Sequence, residues 1–282
     1  MKMRLVNLYK RTLGRYTSTM RTEKHKSARD TLALVKKHRT DYCTIHYSCQ
    51  SFYENDSGLL PRITSIAVCS ISTWQTKSFS MHITAAIMKV PYEEIPSRYD
   101  DIEREMLKAY FTYLKQDTRT KYVHWNMRSA NYGFAAIESR GELLCPAEVY
   151  ILPDERKVDL SKTLIGLYGK KYIPHPQFQS IIEKNYPKPR NFLTGLDEAQ
   201  AFEKGEYVKM HNSTLTKVTN MSQILELAMA NKLKTNAKLK DIYGVSIEGL
   251  IEFLRRKWQG RLFLFLLGTF VAALIGWLFF GN

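Results

Sequence analysis

Hydrophobic and polar side chains alternate with a period of two in the stretch that begins at Tyr42 and reads Tyr-Cys-Thr-Ile-His-Tyr-Ser. Such alternation is typical of a strand with one face buried. Two further stretches, Arg62–Ile71 and Thr76–Ile83, are interpreted as two more strands. We therefore predict three strands, with a turn at Ser72–Gln75 between the second and the third.

Apolar positions three and four residues apart predict helices further along the chain. In Asp100–Lys115 they form one face, with acids early and lysines late, as the helix dipole favours. A strand is predicted at Lys121–Asn126, followed by a helix through Phe134–Glu138. The order strand, strand, strand, helix, strand, helix predicts an α/β fold, a mixed sheet flanked by helices.

Weaker patterns predict the remaining elements. They are a helix at Arg29–Arg39 with Leu32, Ala33 and Val35 packed inward, a hairpin or strand at Leu164–Ile173, a helix that begins at Gly195 with Thr194 as its cap, and helices at Ile224–Leu233 and Ser246–Trp258.

The residues from Leu262 to Phe280 contain no charged side chain, and Thr269 is the only strongly polar one. As a helix this segment is roughly 28 Å long, close to the thickness of the bilayer hydrocarbon. We predict a single transmembrane helix; a buried terminal hairpin or an interfacial helix is the alternative.

Basic residues lie on one side of this span. Arg255, Arg256, Lys257 and Arg261 precede it, and only Asn282 follows its flanking glycine. The positive-inside rule therefore predicts a cytoplasmic body. The segment after Met1 is basic and lacks the apolar run of a signal peptide, and the four cysteines lack CxxC spacing, which fits a reducing compartment.

Within the span, Gly268, Ala272 and Gly276 recur at four-residue spacing. Small residues so placed form a groove in which another helix can approach closely. The stripe predicts self-association of the span, although glycine and alanine also occur in anchors by chance. Because one helix cannot line a pore, any channel requires a homo-oligomer.

The formal net charge is +15, and residues 1–39 hold twelve Lys and Arg against Glu23 and Asp30. Such an excess suits a polyanion, either nucleic acid or an anionic lipid leaflet. The predicted organisation is a basic helical arm in residues 1–40, a body in residues 41–250 with elaborations from about residue 141, a juxtamembrane helix in residues 251–261 and the span in residues 262–280.

The order of elements, with particular residues, resembles the ribonuclease H-like fold of DEDD-type 3′–5′ exonucleases. Tyr42–Phe52 corresponds to the first strand and Ile63–Val68 to the second. The segment His124-Trp-Asn-Met-Arg-Ser-Ala-Asn-Tyr-Gly-Phe is similar to the second motif of that family, a His-Asn pair that leads into a helix. The resemblance implies a groove for a single strand of nucleic acid in an exonuclease-like sensing domain.

The carboxylates of the family are missing from these motifs. No acid lies between Asp41 and Glu54, and Ser129, Ala130 and Asn131 occupy the start of the second-motif helix. The only Asp-x-Glu, Asp101-Ile-Glu103, is interpreted as a charge complement to the start of its own helix. Two-metal hydrolysis needs such carboxylates. We therefore expect no catalytic residues, no metal and no cofactor; the alternative is a membrane-tethered, metal-dependent 3′–5′ exonuclease.

Grooves for single strands combine basic groups with aromatic platforms. Trp125 is interpreted as a core residue. A second cluster, in which hydroxyls and a lysine could cradle a phosphate, is equally explained by a helix that begins at Ser213 or Thr214. The candidate nucleic-acid-binding residues are His124, Asn126, Arg128, Asn131, Tyr132, His46 and Ser48, with His211, Ser213, Thr214 and Lys217 in the second cluster.

A degenerate exonuclease-like body joined to one C-terminal span resembles the membrane effectors of the Hailong antiphage defence systems. That resemblance implies a bacterial inner-membrane protein and a partner nucleotidyltransferase that supplies short single-stranded DNA oligonucleotides. It also implies an oligomeric ion channel, controlled by those oligonucleotides, that acts in abortive infection. A tail-anchored scaffold whose basic arm binds lipid, without a nucleotide ligand, is a further alternative.

Overall fold

A five-stranded sheet with the order β3-β2-β1-β4-β5 organises the larger part of the computed structural model. The structure describes residues 21–50, 61–128, 132–187, 189–244, 247–256 and 258–280. The chain divides into two units. The sheet unit comprises the described residues of 31–163 and 174–234, and the anchor unit comprises those of 1–30, 164–173 and 235–282.

The strands are β1 (Tyr42–Cys49), β2 (Ile63–Ser70), β3 (Thr76–Ser80), β4 (Lys121–His124) and β5 (Lys157–Asp159). The first three are antiparallel neighbours, whereas β4 runs parallel to β1 and β5 runs parallel to β4. The carboxyl ends of β1, β4 and β5 therefore meet at one edge of the sheet. The α/β class and the mixed sheet flanked by helices are confirmed.

Helix α1 covers residues 21–37. The other α-helices are α2 (Met81–Ile87), α3 (Tyr99–Gln116), α4 (Phe134–Leu144), α5 (Leu160–Tyr168), α6 (Gln177–Asn185), α7 (Gly195–Glu203), α8 (Tyr207–Met229), α9 (Leu239–Tyr243), α10 (Ile247–Arg256) and α11 (Trp258–Phe280), with short 3-10 helices at Arg39–Asp41, Tyr92–Glu94 and Asp154–Arg156.

Strand β1 is buried along its whole length and separates two different interiors. Its residues Ile45 and Tyr47 join an apolar core that α2, α3 and α4 complete. On the opposite face, Thr44 donates its hydroxyl to Val218 of α8 at 3.2 Å and lies 2.7 Å from the Ser222 hydroxyl. The face toward α8 is thus built from small and polar side chains whose hydrogen bonds must be completed inside the protein.

Most predicted elements are confirmed, and the predictions for one segment of the sheet unit and one of the anchor unit are wrong. Met81–Ile83 begins α2 instead of extending a strand, because Met81 and Ala85, four residues apart, are both buried on one helical face. Leu164–Ile173 was predicted as a hairpin or strand, but α5 extends through Tyr168. Leu160, Leu164 and Leu167 are buried at helical spacing, and Gly166 among them weakens the helical pattern.

The described part of the basic arm forms α1, as the helix prediction required. Leu32 and Val35 are buried, but Ala33 is exposed, so its predicted inward packing is wrong. Within the anchor unit, Arg21 of α1 donates to the carbonyl oxygens of Gly166 and Leu167 at 2.5 and 3.0 Å. These are orphan carbonyls near the end of α5, where a cation also complements the helix dipole.

Helix α11 confirms a long apolar helix at the C-terminal end of the chain. Among the described residues, Trp258–Leu278 is the one helix long and apolar enough to cross a membrane, and its apolar window is not buried inside the protein. Beyond its first turn, where Gly260 lies against Leu254, most of its described side chains are exposed. The Cβ positions of Gly268 and Gly276 have no heavy atom within 4 Å.

Glu103 does not act as the exposed charge complement that its position in α3 predicts. Its carboxylate is fully buried, and both oxygens accept from Arg140 Nε at 3.0 Å. The Ile63 amide donates to the same carboxylate at 2.8 Å. Burial raises the pKa of Glu103, and the bonds from Arg140 oppose this rise. The pair ties α3 to α4 and to the start of β2.

Replacing Arg140 with methionine should destabilise the protein by about 3–5 kcal/mol, because it leaves the Glu103 carboxylate buried without its cation. The midpoint of chemical unfolding of the full-length protein in detergent measures this effect. Lys108→Met is the matched control on α3, since Lys108 pairs with the partly exposed Glu105 at the surface. An equal shift in both variants would show that Arg140 contributes no more than a surface pair.

Candidate functional site at the sheet

Five side chains from β1, α7 and α8 form a buried polar cluster around Glu198. Its Oε1 accepts from Ser48 Oγ at 3.0 Å, from Ser213 Oγ at 3.0 Å and from Lys217 Nζ at 2.6 Å. Ser48 also lies 2.7 Å from the Thr214 hydroxyl. Two groups of predicted ligand residues, far apart in sequence, are therefore brought together by the fold.

Local sequence explains this convergence. Thr194 caps α7, as predicted from the sequence, and it also forms a capping box with Asp197, which places Glu198 in the first turn. In α8, Ser213 and Lys217 lie four residues apart and therefore share a face. Helix α8 begins at Tyr207.

The prediction that a helix begins at Ser213 or Thr214 is wrong, because α8 runs through both residues without a break. Inside a helix the backbone amides donate to carbonyls four residues back, so they are not available to cradle a phosphate. Thr214 likewise donates its hydroxyl to Met210 O at 3.1 Å. The hydroxyls of this segment are used within the protein.

The charges of the cluster neutralise one another. The side chain of Lys217 is 6% exposed and that of Glu198 is fully buried. The ammonium group also lies 5.2 Å from the centre of the Phe192 ring. Ser48, Ser213, Thr214 and Lys217 thus hold α7 and α8 on the sheet, and contact with a polyanion would require α8 to move. Their prediction as nucleic-acid ligands stays a prediction.

His46 lies on the same face of β1 and is buried. Among the described residues neither ring nitrogen has a hydrogen-bond partner. Burial holds the pKa of His46 well below its ordinary value, and the nearby charge of Lys217 acts in the same direction. The ring is therefore neutral and lies beside Phe178, with ring centres 6.2 Å apart.

His211 is held between strands β2 and β3 rather than presented to solvent. Its Nδ1 lies 2.8 Å from the Ser65 hydroxyl and its Nε2 lies 3.4 Å from the Ser78 hydroxyl. The ring of His82, on α2, is 5.2 Å away. Burial lowers the pKa of His211 to about 4, and His82 contributes to the decrease.

The second predicted motif follows β4 at the carboxyl edge of the sheet. His124 is buried and its Nδ1 accepts from the Met127 amide at 3.1 Å. Trp125 lies 4.8 Å from Phe178 between ring centres and is 9% exposed, as expected of a core residue. Burial lowers the pKa of His124 to about 4, and Asp159 opposes the shift.

The chain turns outward after Trp125. Asn126 adopts a left-handed backbone conformation with φ of 54°, which asparagine tolerates better than most residues. Its Oδ1 accepts from Arg128 Nη2 at 2.5 Å. The guanidinium also forms an ion pair with Asp159 at the end of β5, with Nε and Oδ2 2.6 Å apart. We call Asn126, Arg128 and Asp159 the edge corner.

Exposure distinguishes the members of the edge corner. The side chain of Arg128 is 54% exposed, whereas that of Asp159 is 9% exposed. Tyr132, another predicted ligand, is half-buried and stacks on Tyr47 with ring centres 4.9 Å apart. Burial raises the pKa of Tyr132 well above its ordinary value. Asn131, together with Ser129 and Ala130, lies outside the described residues.

Sequence reasoning missed Asp159 and Glu198. Strand β5 has only three residues, too few to show an alternating pattern before Asp159. Glu198 follows a capping residue, where an acid is ordinarily a dipole complement. Within the described ranges there is no group of three or more His, Cys, Asp and Glu side chains that could hold a metal ion.

An open cleft of about 410 Å³ lies where α8 begins. Arg190, Asn191 and Asn212 contribute polar groups to it, and Lys209 is paired with Glu206 at 2.8 Å. No sequence pattern had indicated this cleft, because its walls come from a loop and the first turn of α8.

The buried histidines predict acid sensitivity. A group whose pKa is lowered by folding takes up a proton more readily in the unfolded chain, so stability is complete above pH 6.5 and is lost as pH falls toward about 4. The thermal midpoint of the full-length protein should decrease across that range. His211→Gln should flatten the decrease; parallel curves for variant and wild type would contradict this role.

The chain matches no model of a protein family, no curated protein and no solved structure. Its own geometry leaves two features that bear on function: a polar sheet face covered by α8, and an edge corner whose arginine faces solvent.

Proposed function

We propose that this chain is a single-pass membrane protein with a ribonuclease H-like body. In this proposal the body binds a short single-stranded DNA oligonucleotide at the carboxyl edge of the sheet and so controls an oligomeric ion channel in antiphage defence. The observation that carries it is the pairing of β1 with antiparallel β2 and parallel β4, joined in one chain to the apolar helix α11.

The arrangement of the sheet supports the part of the proposal that concerns the body and its ligand. Three antiparallel strands are followed by α3, a parallel strand, α4 and a second parallel strand. This is the order on which the resemblance to DEDD-type exonucleases rests. In open α/β sheets, ligands bind outside the carboxyl ends of parallel strands, and here that edge carries Asn126 and Arg128.

Arg128 is the strongest candidate for direct contact. It is more than half exposed, and a guanidinium fixed by Asn126 and Asp159 has little conformational freedom left to lose when it meets a phosphate. Asp159 would repel a phosphate, so the outward-facing nitrogens of Arg128 are assigned the contact. His46, Ser48 and the α8 residues are assigned the support of this edge from within.

Hydrolysis is not part of the proposal. The family carries an Asp-x-Glu on its first strand, whereas β1 contains no acid. Ser48 is engaged with Glu198, whose charge is already balanced by Lys217 at 2.6 Å. A carboxylate paired with a buried lysine is a poor ligand for a second cation. The following experiment distinguishes this proposal from the alternative, a membrane-tethered exonuclease.

Full-length protein in lipid nanodiscs should bind fluorescently labelled single-stranded DNA in the presence of Mg²⁺ and leave its length unchanged on a gel. Arg128→Gln should weaken binding roughly tenfold or more, the loss of one charge-assisted hydrogen bond. The variant should also reduce the dependence of binding on salt, since one phosphate contact is removed.

Arg119→Gln is the matched control, because Arg119 has a 90% exposed side chain and precedes β4 at the opposite edge of the sheet. Equal losses in both variants would indicate general attraction to a basic protein and contradict the edge site. Mg²⁺-dependent shortening of the DNA would establish the exonuclease instead.

The second half of the proposal concerns α11. Gly268→Leu and Gly276→Leu should each reduce the oligomer to smaller species and abolish conductance in planar bilayers. A Cβ added at either position has no heavy atom of the same chain within 4 Å beyond the neighbouring helix backbone, so the single subunit should tolerate leucine there. Only a neighbouring helix in the groove would be displaced.

Leu274→Phe provides the control for added volume, since at 100° per residue position 274 points away from the stripe of Gly268, Ala272 and Gly276. It should keep both oligomer size and conductance. Unchanged size and conductance in the glycine variants, measured by mass photometry and bilayer recording, would exclude the stripe as a packing surface.

A further inference from the structure

Apolar side chains of the anchor unit are exposed just before α11. Leu239 on α9 is 59% exposed, and Ile247 and Leu250 on α10 are 74% and 56% exposed. Isolated exposed apolar residues need no explanation, but these three lie within twelve residues and are followed by Trp258, 67% exposed, at the start of the apolar helix. Within the described part of the chain, nothing covers these side chains.

Helix α10 has one side fixed to the anchor unit and the other side free. Glu252 pairs with Arg29 of α1 at 3.2 Å, and Phe253 packs edge-on against Tyr243 with ring centres 5.5 Å apart. At 100° per residue, Ile247 and Leu250 lie on the side away from Glu252. The apolar stripe therefore faces outward from the unit.

Positive charges border this stripe. Lys238, Lys240 and Arg255 are exposed. An amphipathic helix with apolar residues on one face and Lys or Arg beside it is the pattern of a segment that lies in the headgroup layer of an anionic membrane. Lys and Arg stems can also extend along such a surface toward phosphate groups.

The junction between α10 and α11 determines where the apolar stripe lies relative to the start of α11. A Cβ at Gly260 would overlap the carbonyl oxygen of Leu254 and lie 2.7 Å from its Cα. In one straight helix residues six apart are separated by about 9 Å along the axis. The chain therefore bends sharply between α10 and α11, and α10 lies against the first turn of the helix that would enter the bilayer.

We propose that Lys238, Leu239, Lys240, Ile247, Leu250 and Arg255 form a collar that binds the anionic headgroups of the leaflet through which α11 enters. The inference rests on α11 crossing the membrane and is independent of any nucleic-acid ligand. Lipid is the occupant because the stripe is followed directly by an apolar helix and because Lys238, Lys240 and Arg255 are exposed cations in the same segment.

Depth-dependent quenching tests the collar in the full-length protein. The four native cysteines are buried, so a thiol-reactive fluorophore selects an introduced cysteine. Leu250→Cys should be quenched by nitroxide lipids and shielded from aqueous iodide in nanodiscs that contain phosphatidylserine. Ile151→Cys, in the sheet unit and 63% exposed, should show the reverse.

Charge is tested separately. Replacing phosphatidylserine with phosphatidylcholine should reduce nitroxide quenching at position 250, and the double variant Lys238→Gln/Lys240→Gln should lose that dependence on lipid charge. Lys184→Gln/Lys204→Gln, two exposed lysines of the sheet unit, should keep it.

Two results would overturn the collar while leaving the anchor intact. One is iodide quenching at position 250 equal to that at position 151; the other is protection from both quenchers, which would mean that a second copy or another protein segment covers the stripe. Val271→Cys monitors α11 itself. An unquenched label there would overturn collar and anchor together, whereas loss of oligonucleotide binding alone would leave both standing.

Discussion

The sheet unit depends on satisfying the polar face of β1. Eight consecutive residues of this strand are buried, and on one side they present Thr44, His46 and Ser48 to the interior. A buried hydroxyl without a partner costs about 1–3 kcal/mol, so α7 and α8 must supply acceptors. They do so through Glu198, Thr214 and the carbonyl of Val218. These bonds hold α8 on the sheet together with its buried apolar side chains, such as Val218, Met221 and Ile224.

The need to satisfy these buried polar groups also determines which polar side chains remain exposed. The side chains of Lys217 and His211, which could otherwise bind a ligand, form bonds that join α8 to α7 and to the sheet. The edge corner differs, because there the backbone turns at Asn126 and Arg128 reaches solvent. A body that binds a ligand there can do so without opening its interior.

Much of the sheet unit could be predicted from sequence because β1, β2 and α3 are long and strongly periodic. Leu164–Ile173 could not, since glycines interrupt the apolar period and the buried face of α5 becomes visible only when Leu160 is included. The polar cluster was half predicted. Its hydroxyls and its lysine were identified from the sequence. The negative charge beside them comes from Glu198, which only the tertiary fold brings to Ser48.

The bend at Gly260 has a mechanical consequence. The backbones of Leu254 and Gly260 meet directly, so no side chain lies between the two helices at this point. A side chain at position 260 would push the start of α11 away from α10. Glycine at this position thus lets α11 begin directly against α10, and a change in the angle of α11 would reach the α9–α10 segment.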